Sequence, residues 1–150
     1  MSDLTDVAPS VEYVQRLVPL RYPVLLVDRV LSWEPGVRIR TLKCFTASEP
    51  MFGADCSDLS APAEALMIEA MVQAGGLTLP RLPGKWVYLR GIDSLEIVRR
   101  AAFGDAMITD AVKLWERQNL FRVRVESRVD GQTIISGEVT YVYLDEATPQ

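Results

Sequence analysis

The chain has 150 residues, of which 49% are apolar and 24% charged, and this length suits one soluble domain with a buried core. Its net charge of −4 gives no electrostatic reason to expect nucleic acid or an anionic membrane as a partner. No apolar run is long enough to span a bilayer, so we expect no membrane segment.

The first ten residues are acidic and polar, so we expect a loose start that is not a signal peptide. From Ser10, apolar residues at helical spacing in SVEYVQRLV predict a short helix. The aliphatic run LRYPVLLVDRVLSWE predicts a strand that begins after Pro23. A type II turn is expected at Pro35-Gly36, and the alternating VRIRTLKCFTA predicts a second strand.

A polar loop is expected from Ser48 to Leu59, followed by a helix from about Pro62 to Leu79. Four strand candidates follow it, at 85–98, 105–118, 120–129 and 133–144. Asp130-Gly131 between the last two is a strong hairpin signal. One short helix, one buried helix and about six strands predict an α+β fold in a single domain covering 1–150.

The predicted buried helix is apolar nearly all round, yet it carries Glu69 in its middle. Buried carboxylates are rare unless they are paired or have a function, so we favour a functional role over a structural carboxylate held by backbone donors. Gln73 follows on the same helical face, where it either orients Glu69 or a ligand or packs as an amide.

The chain contains no histidine, which excludes Ser-His-Asp and Cys-His catalysis and imidazole zinc sites. Cys44 and Cys56 are the only cysteines, and we expect free thiols in a cytoplasmic protein. We expect no metal and no cofactor. Several basic residues suit either a solvated face or contact with an acidic carrier or the phosphates of CoA: Arg81, Lys85, Arg90, Arg99 and Arg100.

Two blocks of the sequence carry a family resemblance. The first block consists of Arg21, Tyr22, Pro23, Leu25, Leu26, Val27, Asp28, Arg29 and Val30. The second consists of Glu49, Pro50 and Phe52 in the loop, then Leu66, Ile68, Glu69, Ala70, Gln73 and Ala74 in the helix. In this order they resemble the FabZ-type 3-hydroxyacyl-acyl-carrier-protein dehydratases.

The resemblance implies the hot-dog fold, in which a curved antiparallel sheet wraps around a long central helix. It also implies a homodimer or dimer-based oligomer with sites at the subunit interface, acting on thioesters of acyl carrier protein or CoA. The family's catalytic glutamate falls on Glu69, and its loop histidine is replaced by Asp55. Backbone donors at the helix start, around Ala63, Glu64 and Ala65, would polarise the thioester carbonyl.

The altered site leaves three functions open. Asp55 and Glu69 would form an acid–base pair in a dehydratase, since one ionised carboxylate raises the pKa of another. A thioesterase would use one carboxylate to activate water or attack the acyl carbon. A binding or partner subunit would keep the acyl tunnel without catalysis. For Asp55 the plain alternative is an exposed or turn-forming loop aspartate.

Overall fold

The computed structural model describes residues 10–49 and 60–145, without the side chains of 60–63. The expected loose start and the loop that contains Asp55 therefore lie outside the described residues. Two helices are present among the described residues. Helix α1 spans Val11–Leu17 after Ser10, whose Oγ accepts a hydrogen bond from the Tyr13 N–H at 3.3 Å.

Helix α2 spans Ser60–Leu77. It begins and ends two residues earlier than predicted. At its end the N–H groups of Thr78 and Leu79 donate to carbonyls three residues back, at Gly75 and Gly76, so the last turn tightens before Pro80. The family resemblance implied one long central helix. The described helices are instead a short helix, α1, and the 18-residue helix α2.

In the part of the chain that the structure describes, six antiparallel strands form one sheet in the order β1-β2-β4-β5-β6-β3. The strands are β1 Arg29–Glu34, β2 Arg38–Cys44, β3 Lys85–Ile97, β4 Ala106–Arg117, β5 Leu120–Val129 and β6 Gln132–Asp145. The two predicted turns have backbones that suit them: φ is +75° at Gly36, and +50° and +78° at Asp130 and Gly131. These turns fix the register of the β1–β2 and β5–β6 hairpins.

The first strand begins later than predicted, at Arg29. The preceding aliphatic residues run beside α2 instead, where the Gln73 side chain bonds to the backbone of Val24 and Leu26. The aliphatic composition of this segment predicted a strand. Its backbone groups instead form hydrogen bonds with a side chain of α2, and not with a neighbouring strand.

Helix α2 packs against the inner face of the sheet, and residues from both share one hydrophobic core. Met67, Met71 and Ala74 of α2 are fully buried, as are Val123 and Val125 of β5. None of the helices in the described part of the chain has the length and apolarity needed to cross a membrane.

The Tyr141 ring of β6 packs directly against α2 at Gly75. A Cβ atom placed on Gly75 would lie 2.2 Å from the Tyr141 hydroxyl oxygen and 3.1 Å from its Cζ. On Gly76 the nearest atom, Tyr141 Cε1, would be 3.5 Å away, an ordinary contact. Only the first glycine is therefore required for the tyrosine ring to reach the helix.

We expect Gly75→Ala to destabilise the protein by about 1–3 kcal/mol, because the added methyl overpacks a site closed by Tyr141. Gly76→Ala is the matched control. It should be neutral or stabilise the protein by up to about 1 kcal/mol, because alanine is the better helix former. Urea unfolding with unchanged m-values measures both, and equal stability of the two variants would contradict the contact.

Candidate active site

One face of α2 lines a cavity of about 310 Å³. The helix contributes Glu69, Val72, Gln73, Gly76 and Leu77, which recur at helical spacing. The other walls come from residues 17–20 at the end of α1 and just beyond it, the first half of β3, and Tyr141 and Tyr143 of β6. Most of this lining is apolar, and Glu69 is the only carboxylate among the described lining residues.

The Gln73 amide fixes the position of the Glu69 carboxylate. Its Nε2 donates to Glu69 Oε1 and to the Val24 carbonyl, both at 2.8 Å, and its Oε1 accepts the Leu26 N–H at 2.8 Å. Gln73 is 94% buried, so these three bonds occupy most of the capacity of its amide group. Glu69 itself is partly buried, with its carboxylate held at the cavity wall.

Tyr141 is a polar group on the sheet side of the cavity. Its hydroxyl donates to the Val72 carbonyl at 2.5 Å, and its ring is buried against α2. Burial, and secondly the nearby Glu69 carboxylate, raise the pKa of Tyr141 well above its ordinary value of 10, although the backbone at Gly76 acts in the opposite direction. The side chain is therefore a neutral hydrogen-bond donor at physiological pH.

Tyr143 lies two residues further along β6, on the same inward face. Its hydroxyl donates to the Pro80 carbonyl just after α2. Burial, and secondly Glu116, raise the pKa of Tyr143 to about 12.

The predicted site residues separate into two groups. Glu69 and Gln73 come together at the cavity. Glu64 instead accepts a hydrogen bond from Arg100 Nε at 2.6 Å, and Ala65 is exposed; neither is among the described lining residues. Because α2 begins at Ser60, its free N–H groups belong to 60–63, which include that of Ala63. Asp55 lies outside the described residues.

Sequence reasoning did not find Tyr141 and Tyr143. The available signal was their alternation in TYVYL, which places both rings on one face of a strand. Trp86 and residues 17–20 also line the cavity, and no such local signal predicted this. Among the residues that the structure describes, no group of three or more His, Cys, Asp or Glu side chains is placed to hold a metal ion. Cys44 is a free thiol, as predicted.

Solved structures share this arrangement of sheet and helices. The dehydratase heterocomplex ApeI:P from Xenorhabdus doucetiae matches with a TM-score of 0.71 and 14% identity, over 89% of this chain and 91% of that one. The fold is the hot-dog fold. A hypothetical thioesterase with coenzyme A from Streptococcus pneumoniae matches with a TM-score of 0.60 and 10% identity, over 79% and 87% of the two chains.

A third hot-dog protein, the sigma28-regulated virulence protein Cj0977 from Campylobacter jejuni, has a TM-score of 0.68 and 14% identity, covering 89% of this chain and 97% of its own. No model of a known protein family matches the sequence. Similarity at these identities shows the common fold, and the neighbours span both dehydratase and thioesterase descriptions. The chain therefore has the hot-dog fold in common with these proteins.

We expect the free energy of unfolding to fall as pH rises from about 10 to about 12, in part through Tyr143. In this window the unfolded chain releases the tyrosine proton while the folded chain, with its raised pKa, retains it. Tyr143→Phe should remove the part of this fall in unfolding free energy that Tyr143 contributes. Urea unfolding at a series of alkaline pH values gives both curves, and parallel curves would contradict the assignment.

Proposed function

We propose that this protein acts on acyl thioesters of acyl carrier protein or CoA, and that it dehydrates 3-hydroxyacyl groups. The observation that carries the proposal is Glu69, a carboxylate held by Gln73 on the wall of an otherwise largely apolar cavity. An apolar pocket with a few fixed polar groups suits an acyl chain with one reacting end. The resemblance of the two sequence blocks to FabZ-type dehydratases favours dehydration over other reactions of acyl thioesters.

Dehydration removes a proton from the α-carbon and the hydroxyl group from the β-carbon, leaving a double bond and one water molecule. One group must accept the α-proton and another must supply a proton to the departing hydroxyl. We propose Glu69 for one role and Asp55, at the position of the family histidine, for the other. Donors at the start of α2, including the Ala63 N–H, would stabilise the thioester oxygen as negative charge develops.

We propose a homodimer that pairs along β3. This strand has a neighbour, β6, on only one side in the described part of the chain. It exposes large apolar side chains, with Leu89 50% and Leu95 40% accessible. Long apolar edge strands invite pairing with another strand, and a second copy of β3 offers the same length and composition. Leu89 also lines the cavity, so such an interface would adjoin the proposed site.

Thioester hydrolysis is the second candidate. A single oriented carboxylate is sufficient to activate water for attack on the acyl carbon, which releases a free thiol and a carboxylic acid. The hypothetical thioesterase with coenzyme A shares the fold. A third candidate is a non-catalytic acyl-binding or partner subunit. The similar structure ApeI:P is a dehydratase heterocomplex, which supports the idea that a protein of this fold can act as a partner subunit.

We expect the purified protein to convert 3-hydroxyacyl thioesters to enoyl thioesters, measured by absorbance of the conjugated product. Glu69→Gln should lower the rate by about a hundredfold or more, because the isosteric amide transfers no proton. Asp55→Asn should have a similar effect. Glu34→Gln is the matched control: it makes the same change at an exposed carboxylate paired with Arg38, and should retain full activity.

The same assay with a thiol reagent separates the alternatives. Free thiol that disappears in Glu69→Gln identifies a thioesterase. Tight binding of an acyl thioester with neither product identifies a binding subunit. Full dehydratase activity of Glu69→Gln would exclude Glu69 as the catalytic carboxylate.

Leu95→Lys should convert the proposed dimer to monomers in sedimentation experiments, because a lysine on an edge strand opposes strand pairing. Val112→Lys introduces the same charge at a similarly exposed position of the interior strand β4, and should leave the dimer intact. A monomeric wild-type protein, or equal behaviour of the two variants, would contradict pairing along β3.

A further inference from the structure

The cavity has a direction along α2. Glu69 and Leu77 both line it, and eight residues of helix place them about 12 Å apart along the axis. Beyond the helix end, Leu79 and Arg81 continue the same wall. Glu69 therefore lies toward one end of the cavity and Arg81 toward the other.

Residues of the sheet follow the same direction, from the middle of α2 to beyond its end. Tyr141 contacts the middle of α2, whereas Tyr143 reaches the Pro80 carbonyl beyond its end. In the β3–β6 pairing, Leu89 stands opposite Tyr141 and Val87 opposite Tyr143. Trp86, one residue before Val87, consequently lies near the Arg81 end.

Arg81 joins two walls at that end. Its Nη1 donates to the carbonyl of Arg16, in the last turn of α1. Its guanidinium carbon lies 4.4 Å from the ring centroid of Trp86, at the start of β3. A planar guanidinium suits this double contact, because it stacks on an aromatic face while its N–H groups remain available as donors.

From this arrangement we infer that Arg81 and Trp86 form the end wall of the acyl site and limit the length of chain it accepts. The inference rests on the proposed function, in which the reacting end of the acyl group lies at Glu69. A cavity of about 150 Å³ holds one benzene molecule. The 310 Å³ here accommodates about twice that, or roughly a dozen carbon atoms. The preferred substrate class is therefore a medium-length acyl group.

The test measures binding of acyl-CoA analogues whose thioester is replaced by an amide, so that no turnover occurs. Hexanoyl, decanoyl and hexadecanoyl analogues are titrated into the full-length protein. For the wild type we expect tightest binding of the decanoyl analogue. In Arg81→Ala, affinity for the hexadecanoyl analogue should rise at least about tenfold, since each newly buried methylene is worth about fourfold. Affinity for the hexanoyl analogue should change less than about twofold.

Arg38→Ala is the matched control, since it removes an exposed arginine whose partner is Glu34, away from this cavity; it should leave the length preference unchanged. Trp86→Leu should shift the preference in the same direction as Arg81→Ala, and covers the case in which Arg81→Ala does not fold. An unchanged preference in both folded variants overturns the end wall while leaving the proposed function standing.

Equal weakening of all three analogues in Arg81→Ala would instead identify Arg81 as a cation that binds CoA phosphate at an entrance, and would overturn the inference. If the wild-type protein binds none of the three analogues, the proposed function is overturned as well. These outcomes separate failure of the end wall from failure of the acyl site.

Discussion

A helix that is apolar on nearly every side is stable only when other elements cover it and supply hydrogen bonds to the free backbone groups at its end. Helix α2 imposes this constraint on the whole chain. The sheet covers it, and donors from β1 and β6 reach carbonyls within and just beyond it: Trp33 Nε1 and the hydroxyls of Tyr141 and Tyr143. The aromatic side chains that bury the helix thus also satisfy its backbone.

The candidate site follows from the same constraint. Where the sheet does not press directly on α2, the space beside the helix forms the cavity, and the helix face turned toward it carries Glu69. Gln73 serves both structure and site. Its amide ties the chain around Leu26 to the helix, and the remaining N–H group holds the Glu69 carboxylate. A change in the docking of that segment would therefore also move the proposed catalytic group.

Local patterns in the sequence predicted much of this fold. The last four strands match their predicted segments to within one residue, and Asp130-Gly131 makes the expected hairpin, because alternation and turn chemistry are local properties. The segment before Arg29 was wrongly predicted as strand, because its partner is a side chain distant in sequence. Glu69 was identifiable as an isolated carboxylate in an apolar helix. The sequence left open whether Gln73 orients Glu69 or packs as an amide. The tyrosines on the sheet side of the cavity depend on contacts between distant elements that no short motif records.

The contact between Gly75 and Tyr141 also constrains how this protein can diverge. The ring occupies the volume that any side chain at Gly75 would need, so the two positions are not free to change independently. Among relatives that keep this helix and sheet, a larger residue at the glycine position should accompany a smaller one at the tyrosine position. Such paired substitution would be visible in an alignment and would mark, from sequence alone, where the sheet meets the helix.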